Sequence, residues 1–306
     1  MAANGVWGTP TASVDWCEDN YTVSYYVAEF FNTLSSVPIA LLGLQALWSA
    51  WACADAHASR RRRMVAAFTV FVVGVGSVTF HGTLLRWGQV LDEVPMVRAG
   101  LPGGYLLSLT RPPLLLGVAR LQLWSSTSFV FLAVSLQWPP GDRRVLPLGI
   151  ALAVYASGAT ALYFVYGFEY FLVTYVATVA VVIFATARQA RLLGAPKQGS
   201  PPRMAAAIVR YAAAAAGLYA GGFLVLWIPE QILCGNRLET SHDTVFSRVS
   251  LHAFFHITSA LGPYAWLCFA ALGRAKVLGK RAVVAWRPSV LLCGAPTPFV
   301  DVEAAA

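Results

Sequence analysis

Long apolar segments separated by short polar or basic loops dominate this sequence. An apolar helix of about 20 residues is long enough to cross a bilayer. Hydrophobic residues make up 58% of the 306 residues and charged residues only 12%, which excludes an ordinary soluble domain. The sequence therefore predicts an all-α, multi-span membrane bundle.

The number of spans depends on the region between residues 92 and 138. Counting every apolar block gives eight spans, but this region contains the helix-breaking runs Pro102-Gly103-Gly104 and Arg111-Pro112-Pro113. A single crossing there places the basic clusters at residues 60–63, 143–144, 188–203 and 274–281 on one side of the membrane, as the positive-inside rule requires. We therefore predict a seven-transmembrane helix bundle with a lumenal N-terminus and a cytosolic C-terminus.

The predicted spans are residues 29–54, 64–84, one crossing within 92–138, 145–166, 168–187, 205–228 and 247–272. They divide the chain into a lumenal segment (1–28), a membrane domain (29–272) and a cytosolic tail (273–306) that is basic and then without recognisable features. The net charge of +8 is concentrated in clusters between apolar segments. Such clusters are topology signals and do not indicate a nucleic-acid partner.

Two histidines, His252 and His256, lie in the seventh predicted span. At i and i+4 they share one helical face, with the spacing that gives a metal two nitrogen ligands. Ionisable groups inside a membrane helix are costly and usually face the bundle interior. The spacing alone is a weak signal, and a hydrogen-bonded interface histidine is the alternative.

Depth in the predicted bundle brings three more polar residues to the same level. Ser77 and His81 lie near the lumenal end of span two, and Asp92 lies at the start of span three. Three imidazoles with an open fourth position are typical of a catalytic zinc, which lowers the pKa of its bound water. Asp92 is suited to accept the water's proton and pass it to a leaving amine, and Ser77 to donate to the oxyanion. The alternatives are a serine bonded to its own helix and an aspartate that caps a helix.

An acidic cluster precedes the first span. Asp15, Glu18, Asp19 and Asn20 fall within six residues, and Glu29 lies at the mouth of the span. Oxygen-rich clusters of this kind suit a hard cation such as calcium. A solvated acidic cap is the alternative, and composition alone favours the cap.

Several motifs together resemble the alkaline ceramidases, a family within a superfamily of seven-span metal-dependent hydrolases. The superfamily also includes progestin- and adiponectin-type receptors and hydrolases that remodel glycosylphosphatidylinositol (GPI) anchors. The resemblance is carried by Trp7-Gly8 and by residues 14–21 (VDWCEDNY), 24–33 (SYYVAEFFNT), 76–81 (GSVTFH), 91–96 (LDEVPM) and 252–256 (HAFFH). It extends from about residue 7 to residue 273.

The resemblance implies a zinc amidase that hydrolyses ceramide to a sphingoid base and a fatty acid within an endoplasmic reticulum or Golgi membrane. The implied zinc ligands are His81, His252 and His256, and the implied catalytic pair is Ser77 and Asp92. The implied calcium ligands are Asp15, the Trp16 carbonyl, Glu18, Asn20 and Glu29, which reverses the preference for a cap. It also implies a disulfide between Cys17 and Cys234, both on the oxidising lumenal side of the predicted topology.

Residues 98–120 depart from the family pattern and look like an insertion before or within span three. Two other functions are compatible with the same fold and metal site. One is a seven-span lipid-sensing receptor, and the other is a hydrolase of a different acyl lipid, such as a GPI anchor. No obligate protein partner is inferred.

Overall fold

The computed structural model describes residues 5–12, 14–52, 57–92, 121–139, 141–166, 168–195, 202–235 and 250–302. In chain order the helices are α1 (Phe30–Ala52), α2 (His57–Thr83), α3 (Arg86–Asp92), α4 (Leu121–Ser135), α5 (Val145–Tyr166), α6 (Phe168–Gly194), α7 (Pro202–Gly222), α8 (Ile228–Gly235) and α9 (Leu251–Val277). A π-helical turn, Phe223–Trp227, joins α7 to α8. Two strands follow α9, β1 (Ala282–Pro288) and β2 (Pro296–Val302), with a 3₁₀ turn (Val290–Leu292) between them.

Glycines allow α1 and α2 to pack with their backbones in direct contact. A Cβ atom at Gly43 would lie 2.4 Å from the backbone nitrogen of Phe71, and one at Gly74 would lie 2.2 Å from that of Ala40. Any larger residue at either position would force the helices apart. Small residues serve the same purpose between helices in membranes, where burial of apolar surface no longer drives association. This crossing fixes the position of the residues that α2 carries.

Helix α9 forms the centre of the bundle and packs against α1 and α7. Ala260, Phe269 and Leu272 on this helix are completely buried. Ser250 caps its N-terminus by accepting a hydrogen bond from the backbone nitrogen of Ala253, which satisfies one of the free N–H groups at the start of the helix. The cap lies two residues before His252 and so fixes where that histidine enters the bundle.

Five helices in the described part of the chain are long and apolar enough to cross a membrane: Phe30–Ala52, Ser59–Thr83, Leu172–Gly194, Arg203–Ile232 and Leu251–Val277. The described apolar stretches of α4 and α5, Ser125–Ser135 and Val145–Ala159, are shorter. These helices indicate an integral membrane protein. The count of seven spans and the orientation of the termini stay predictions.

The helix boundaries agree with several predicted spans and differ at some ends. Helix α5 coincides with the prediction of 145–166. Helix α6 runs seven residues past the predicted end at 187, and α9 extends five residues past 272. The sixth predicted span continues through the π-helical turn into α8. The proposed insertion at 98–120 lies outside the described residues.

The tail corrects the prediction of an all-α chain with a featureless C-terminus. Strands β1 and β2 form an antiparallel hairpin, paired from Ala282 with Val302 to Pro288 with Pro296. The hydroxyl of Tyr264 on α9 donates to the carbonyl oxygen of Pro298 at 2.9 Å. These strands are short and contain proline, so their sequence pattern is weak, and packing against the bundle provides the support that an isolated hairpin lacks.

Candidate active site

Three buried histidines from two helices converge at one end of the bundle. His81 lies in the last turn of α2, and His252 and His256 lie in the first turns of α9. One ring nitrogen from each lies within 4.8 Å of the others. The exposed fractions are 0% for His81 and 3% for each of the other two. The predicted triad is therefore assembled, with the spacing of a metal-binding site.

Hydrogen bonds on the outer side of the triad orient two of these rings. The Nδ1 atom of His81 lies 2.5 Å from Oε2 of Glu29, while its Nε2 is buried and has no hydrogen-bond partner in the described structure. The Nδ1 atom of His256 lies 2.9 Å from Oγ of Ser35 and 3.2 Å from the carbonyl oxygen of Asn32. Metal-binding histidines typically use one nitrogen for such a partner and the other for the metal. The arrangement fits zinc, which three imidazoles bind with a fourth position open.

The third ring, His252, lies between an indole and a carboxylate. Trp16 stacks on it with ring centroids 3.6 Å apart. Its Nδ1 lies 4.0 Å from Oε2 of Glu230, and both side chains are buried. Glu230 was not among the predicted site residues. The sequence signal that could have pointed to Glu230 was a carboxylate placed two residues beyond a predicted span. In the structure, the π-helical turn just before α8 is a second signal, because such turns often occur near functional sites.

The predicted catalytic pair, Ser77 and Asp92, is also brought together. Their side chains are hydrogen-bonded to each other, and Oγ of Ser77 lies 3.0 Å from Oγ of Ser36. A Cβ atom at Gly76 would lie 2.2 Å from the carbonyl oxygen of Leu91, so only glycine allows α3 to end this close to α2. The close approach at Gly76 places Asp92 beside Ser77.

The acidic N-terminal segment folds over the start of α1. The two carboxylate oxygens of Glu18 accept hydrogen bonds from the backbone nitrogens of Phe31 and Asn32, at 2.7 and 2.8 Å. They therefore satisfy free N–H groups at the helix N-terminus. Burial raises the pKa of Glu18 to about 7. Glu18 therefore caps the start of α1, and it is also one of the predicted calcium ligands.

The other predicted calcium ligands lie next to one another. Oε1 of Glu29 accepts a hydrogen bond from the Trp16 backbone nitrogen at 3.1 Å, and Nδ2 of Asn20 donates to the Asp15 carboxylate at 3.1 Å. Burial and the neighbouring Asp15 carboxyl raise the pKa of Glu29 well above its usual value. The Oδ1 atom of Asn20 is buried without a hydrogen-bond partner in the described structure. Crowded carboxyl groups beside a free amide oxygen fit a hard cation.

Cys17 is buried close to the segment that contains its predicted partner. Its sulfur lies 4.0 Å from the carbonyl oxygen of Glu230, four residues before Cys234. The side chain of Cys234 is outside the described part of the structure, so the disulfide stays a prediction. Among the described cysteines, Cys268 and Cys293 are free.

A cavity opens from His252 and His256 into the bundle. Its volume is about 190 Å³. Its polar end includes Ser77, Asp92, His252 and His256, and the remainder is lined mainly by aliphatic and aromatic side chains. The cavity therefore suits a molecule with a polar head and long apolar chains.

The chain is similar in sequence to several alkaline ceramidases. The chain is similar to alkaline ceramidase YPC1 of Saccharomyces cerevisiae, with 42% identity over 95 residues, covering 31% of this chain and 29% of that protein. It is similar to alkaline ceramidase 3 of Mus musculus, with 39% identity over 98 residues, covering 30% and 33%. It is also similar to the alkaline ceramidase of Arabidopsis thaliana, with 38% identity over 96 residues, covering 30% and 34%. Each alignment thus spans about a third of the relative's length.

A family-level comparison covers far more of the chain. The match to the Ceramidase family extends over residues 8–296. This range includes the three histidines, Ser77, Asp92 and the acidic N-terminal cluster. The chain therefore belongs to the ceramidase family.

Proposed function

We propose that this protein is an intramembrane zinc-dependent amidase that hydrolyses ceramide to a sphingoid base and a fatty acid. The observation that carries the proposal is the buried three-histidine cluster, two of whose members, His252 and His256, line one apolar cavity together with the Ser77–Asp92 pair. Family membership and the names of the relatives support ceramide as the substrate. The apolar lining accounts for a substrate with long hydrocarbon chains.

The residues around the cavity divide the chemistry between them. Zinc held by His81, His252 and His256 would supply Lewis acidity toward the amide oxygen and lower the pKa of a water in its open position. Asp92 takes a proton from the attacking water and delivers it to the amine as the C–N bond breaks. Ser77 donates its hydrogen bond to the Asp92 carboxylate at rest and, once Asp92 holds the proton, to the oxygen that becomes negatively charged. Glu29 holds the His81 ring in position through Nδ1.

We further propose that calcium binds to the N-terminal segment and regulates the enzyme. Its ligands are Asp15, the Trp16 carbonyl, Glu18, Asn20 and Glu29. The support is the crowding of Asp15 against Glu29 and the unpartnered Oδ1 of Asn20. The proposed topology has seven spans in an endoplasmic reticulum or Golgi membrane. In this topology the N-terminal segment and a Cys17–Cys234 disulfide lie on the lumenal side, and the C-terminal tail lies in the cytosol.

Metal analysis combined with a lipid panel tests this proposal. The purified protein should contain about one zinc per chain and release sphingoid base from ceramide, with the rate reduced when calcium is chelated. Saturable ceramide binding without turnover would favour a lipid receptor instead. Turnover of a GPI-type lipid but not of ceramide would reassign the substrate.

Gly76 provides a test of the position of Asp92. We expect Gly76→Ala to lower ceramide hydrolysis at least about 100-fold, because misplacing a catalytic group by about 1 Å has that cost. Zinc content should not change, since the added methyl group faces α3 and not the histidines. The matched control is Gly158→Ala in α5, where a Cβ atom meets nothing within 4 Å. Equal rates for the two variants would contradict this account of Gly76.

Calcium binding should depend on pH through Glu18. The pKa of Glu18 is raised to about 7, so the side chain is increasingly protonated as pH falls through 7, and a protonated carboxyl is a poor calcium ligand. Because the pKa of Glu18 is raised, protonation of Glu18 stabilises the folded, calcium-free segment. This stabilisation is lost as pH rises through 7. We expect calcium affinity to fall about 10-fold between pH 8 and pH 6.

Calcium titrations at several pH values, read from intrinsic fluorescence, measure this dependence. The Asp19→Asn variant should retain it, whereas Glu18→Gln should lose the share that Glu18 contributes along with part of the affinity, and the remaining pH dependence should come from Glu29. A flat pH profile in the parent protein would exclude Glu18 as the titrating ligand.

A further inference from the structure

The cavity ends inside the bundle, at lining residues that several helices contribute. The lining residues furthest from the histidines are Val70 on α2, Phe129 on α4, Thr186 on α6, Ala215 on α7 and Trp266 on α9. The next inward-facing residues on these helices belong to the solid core and include Ala67, Leu132, Ala190, Ala212 and Phe269. The cavity therefore has a floor, and Trp266 is its largest residue.

The Trp266 indole is fixed in place from two sides. Its Nε1 donates a hydrogen bond to Oγ1 of Thr186 at 2.7 Å, with both side chains buried. The Phe129 ring meets it edge-on, with centroids 4.8 Å apart. A buried indole N–H needs such a partner, and edge-to-face ring contacts add further stabilisation. Trp266 is therefore a rigid end wall.

The distance from the histidines to this wall matches a lipid chain. Trp266 follows His256 by ten residues on α9, which is about 15 Å along the helix at 1.5 Å per residue. Half of the hydrocarbon core of a bilayer is also about 15 Å thick. A lipid whose amide lies at the histidines thus extends one chain to the wall.

We propose that Trp266, held by Thr186, is a specificity-determining residue that sets the longest hydrocarbon chain the cavity accepts. The inference rests on the proposed function, because it takes the reacting amide to lie at the histidines. Chains that stop short of the indole leave apolar surface unfilled. Chains that are longer must displace a hydrogen-bonded side chain.

Two substrate series test the proposal and identify the chain involved. One series varies the acyl chain of ceramide with the sphingoid base constant, and the other varies the sphingoid base. In Trp266→Ala, kcat/KM for a chain two methylenes longer than the parent optimum should rise at least about 10-fold relative to the optimum, because each buried methylene contributes about fourfold. The shift should appear in one series and not in the other.

Further variants separate the wall from general effects on folding. Thr186→Val removes the hydrogen bond at similar volume and should broaden the length preference less than Trp266→Ala does. Trp48→Ala removes an indole from the outer surface of α1, where 58% of the residue is exposed, and should leave the preference unchanged. Should Trp266→Ala fail to fold, Trp266→Leu keeps an apolar side chain and carries the same expectation.

Unchanged chain-length profiles in an active Trp266 variant would overturn the inference. Competition binding with fatty acids of increasing length measures the same limit without turnover. If the parent protein hydrolyses no ceramide, but the longest fatty acid that binds is longer in the Trp266 variant, the proposed function is wrong and the role of Trp266 is supported. If hydrolysis occurs, and neither the chain-length preference nor the longest bound fatty acid changes in the variant, only the role of Trp266 is wrong.

Discussion

Replacing His81 with alanine is expected to remove the bound zinc and to lower ceramide hydrolysis by at least about 1000-fold. Zinc contributes several kcal/mol of transition-state stabilisation, and each 1.4 kcal/mol corresponds to a factor of ten in rate. His81 is completely buried, and Glu29 fixes its Nδ1 at 2.5 Å. The variant leaves two ligands, too few for the three-histidine site that the proposal requires.

Elemental analysis of purified protein and a sphingoid-base release assay measure this result. Thr79→Ala is the matched control on the same helix, because among the described residues the Thr79 hydroxyl bonds to the backbone of its own helix, at Val75. It should retain zinc and hydrolysis. Full zinc content in His81→Ala would mean that the metal lies elsewhere.

Replacing Asp92 with asparagine is expected to lower ceramide hydrolysis by about 10² to 10⁴-fold while zinc stays bound. A positioned general base typically contributes this factor. Asparagine has the same shape as aspartate and can still accept the hydrogen bond from Ser77, so the site should remain assembled. It cannot accept a proton from water at neutral pH, which removes only the proton transfer.

The informative comparison is between zinc content and rate in the same preparation. Loss of rate with zinc retained separates Asp92 from the metal ligands, since His81→Ala should lose both. An Asp92→Asn enzyme within tenfold of the parent rate would show that another group takes the proton. Loss of zinc in this variant would show that Asp92 supports the metal site.

Helix positions could be predicted well because the length of an apolar run is a local property of the sequence. The prediction for α5 coincides with the observed helix. The ends of α6 and α9 were placed too early because both helices continue past their apolar runs into basic residues. The hairpin was missed because Ala282 and Val300 are buried only through packing against the bundle, which no local pattern records.

The residues of the proposed metal and catalytic sites could be predicted from depth, but their neighbours could not. Depth placed Ser77, His81 and Asp92 at one level, and the structure brings them together. Which side chains touch depends on how each helix is turned about its own axis. In the structure Glu29 contacts His81, and Glu230 lies beside His252. The way the helices are turned depends in part on close backbone approaches such as the one at Gly76.

The hydrogen bond between His81 and the Glu29 carboxylate has a thermodynamic consequence for the two proposed metals. The Glu29 carboxylate belongs to the proposed calcium ligand set and also contacts His81, a proposed zinc ligand, so occupancy of one proposed site would alter the environment of the other. Coupling between two binding equilibria is reciprocal. Whatever factor calcium changes zinc affinity by, zinc must change calcium affinity by the same factor. Removing either ion with a selective chelator should therefore change the affinity of the other site.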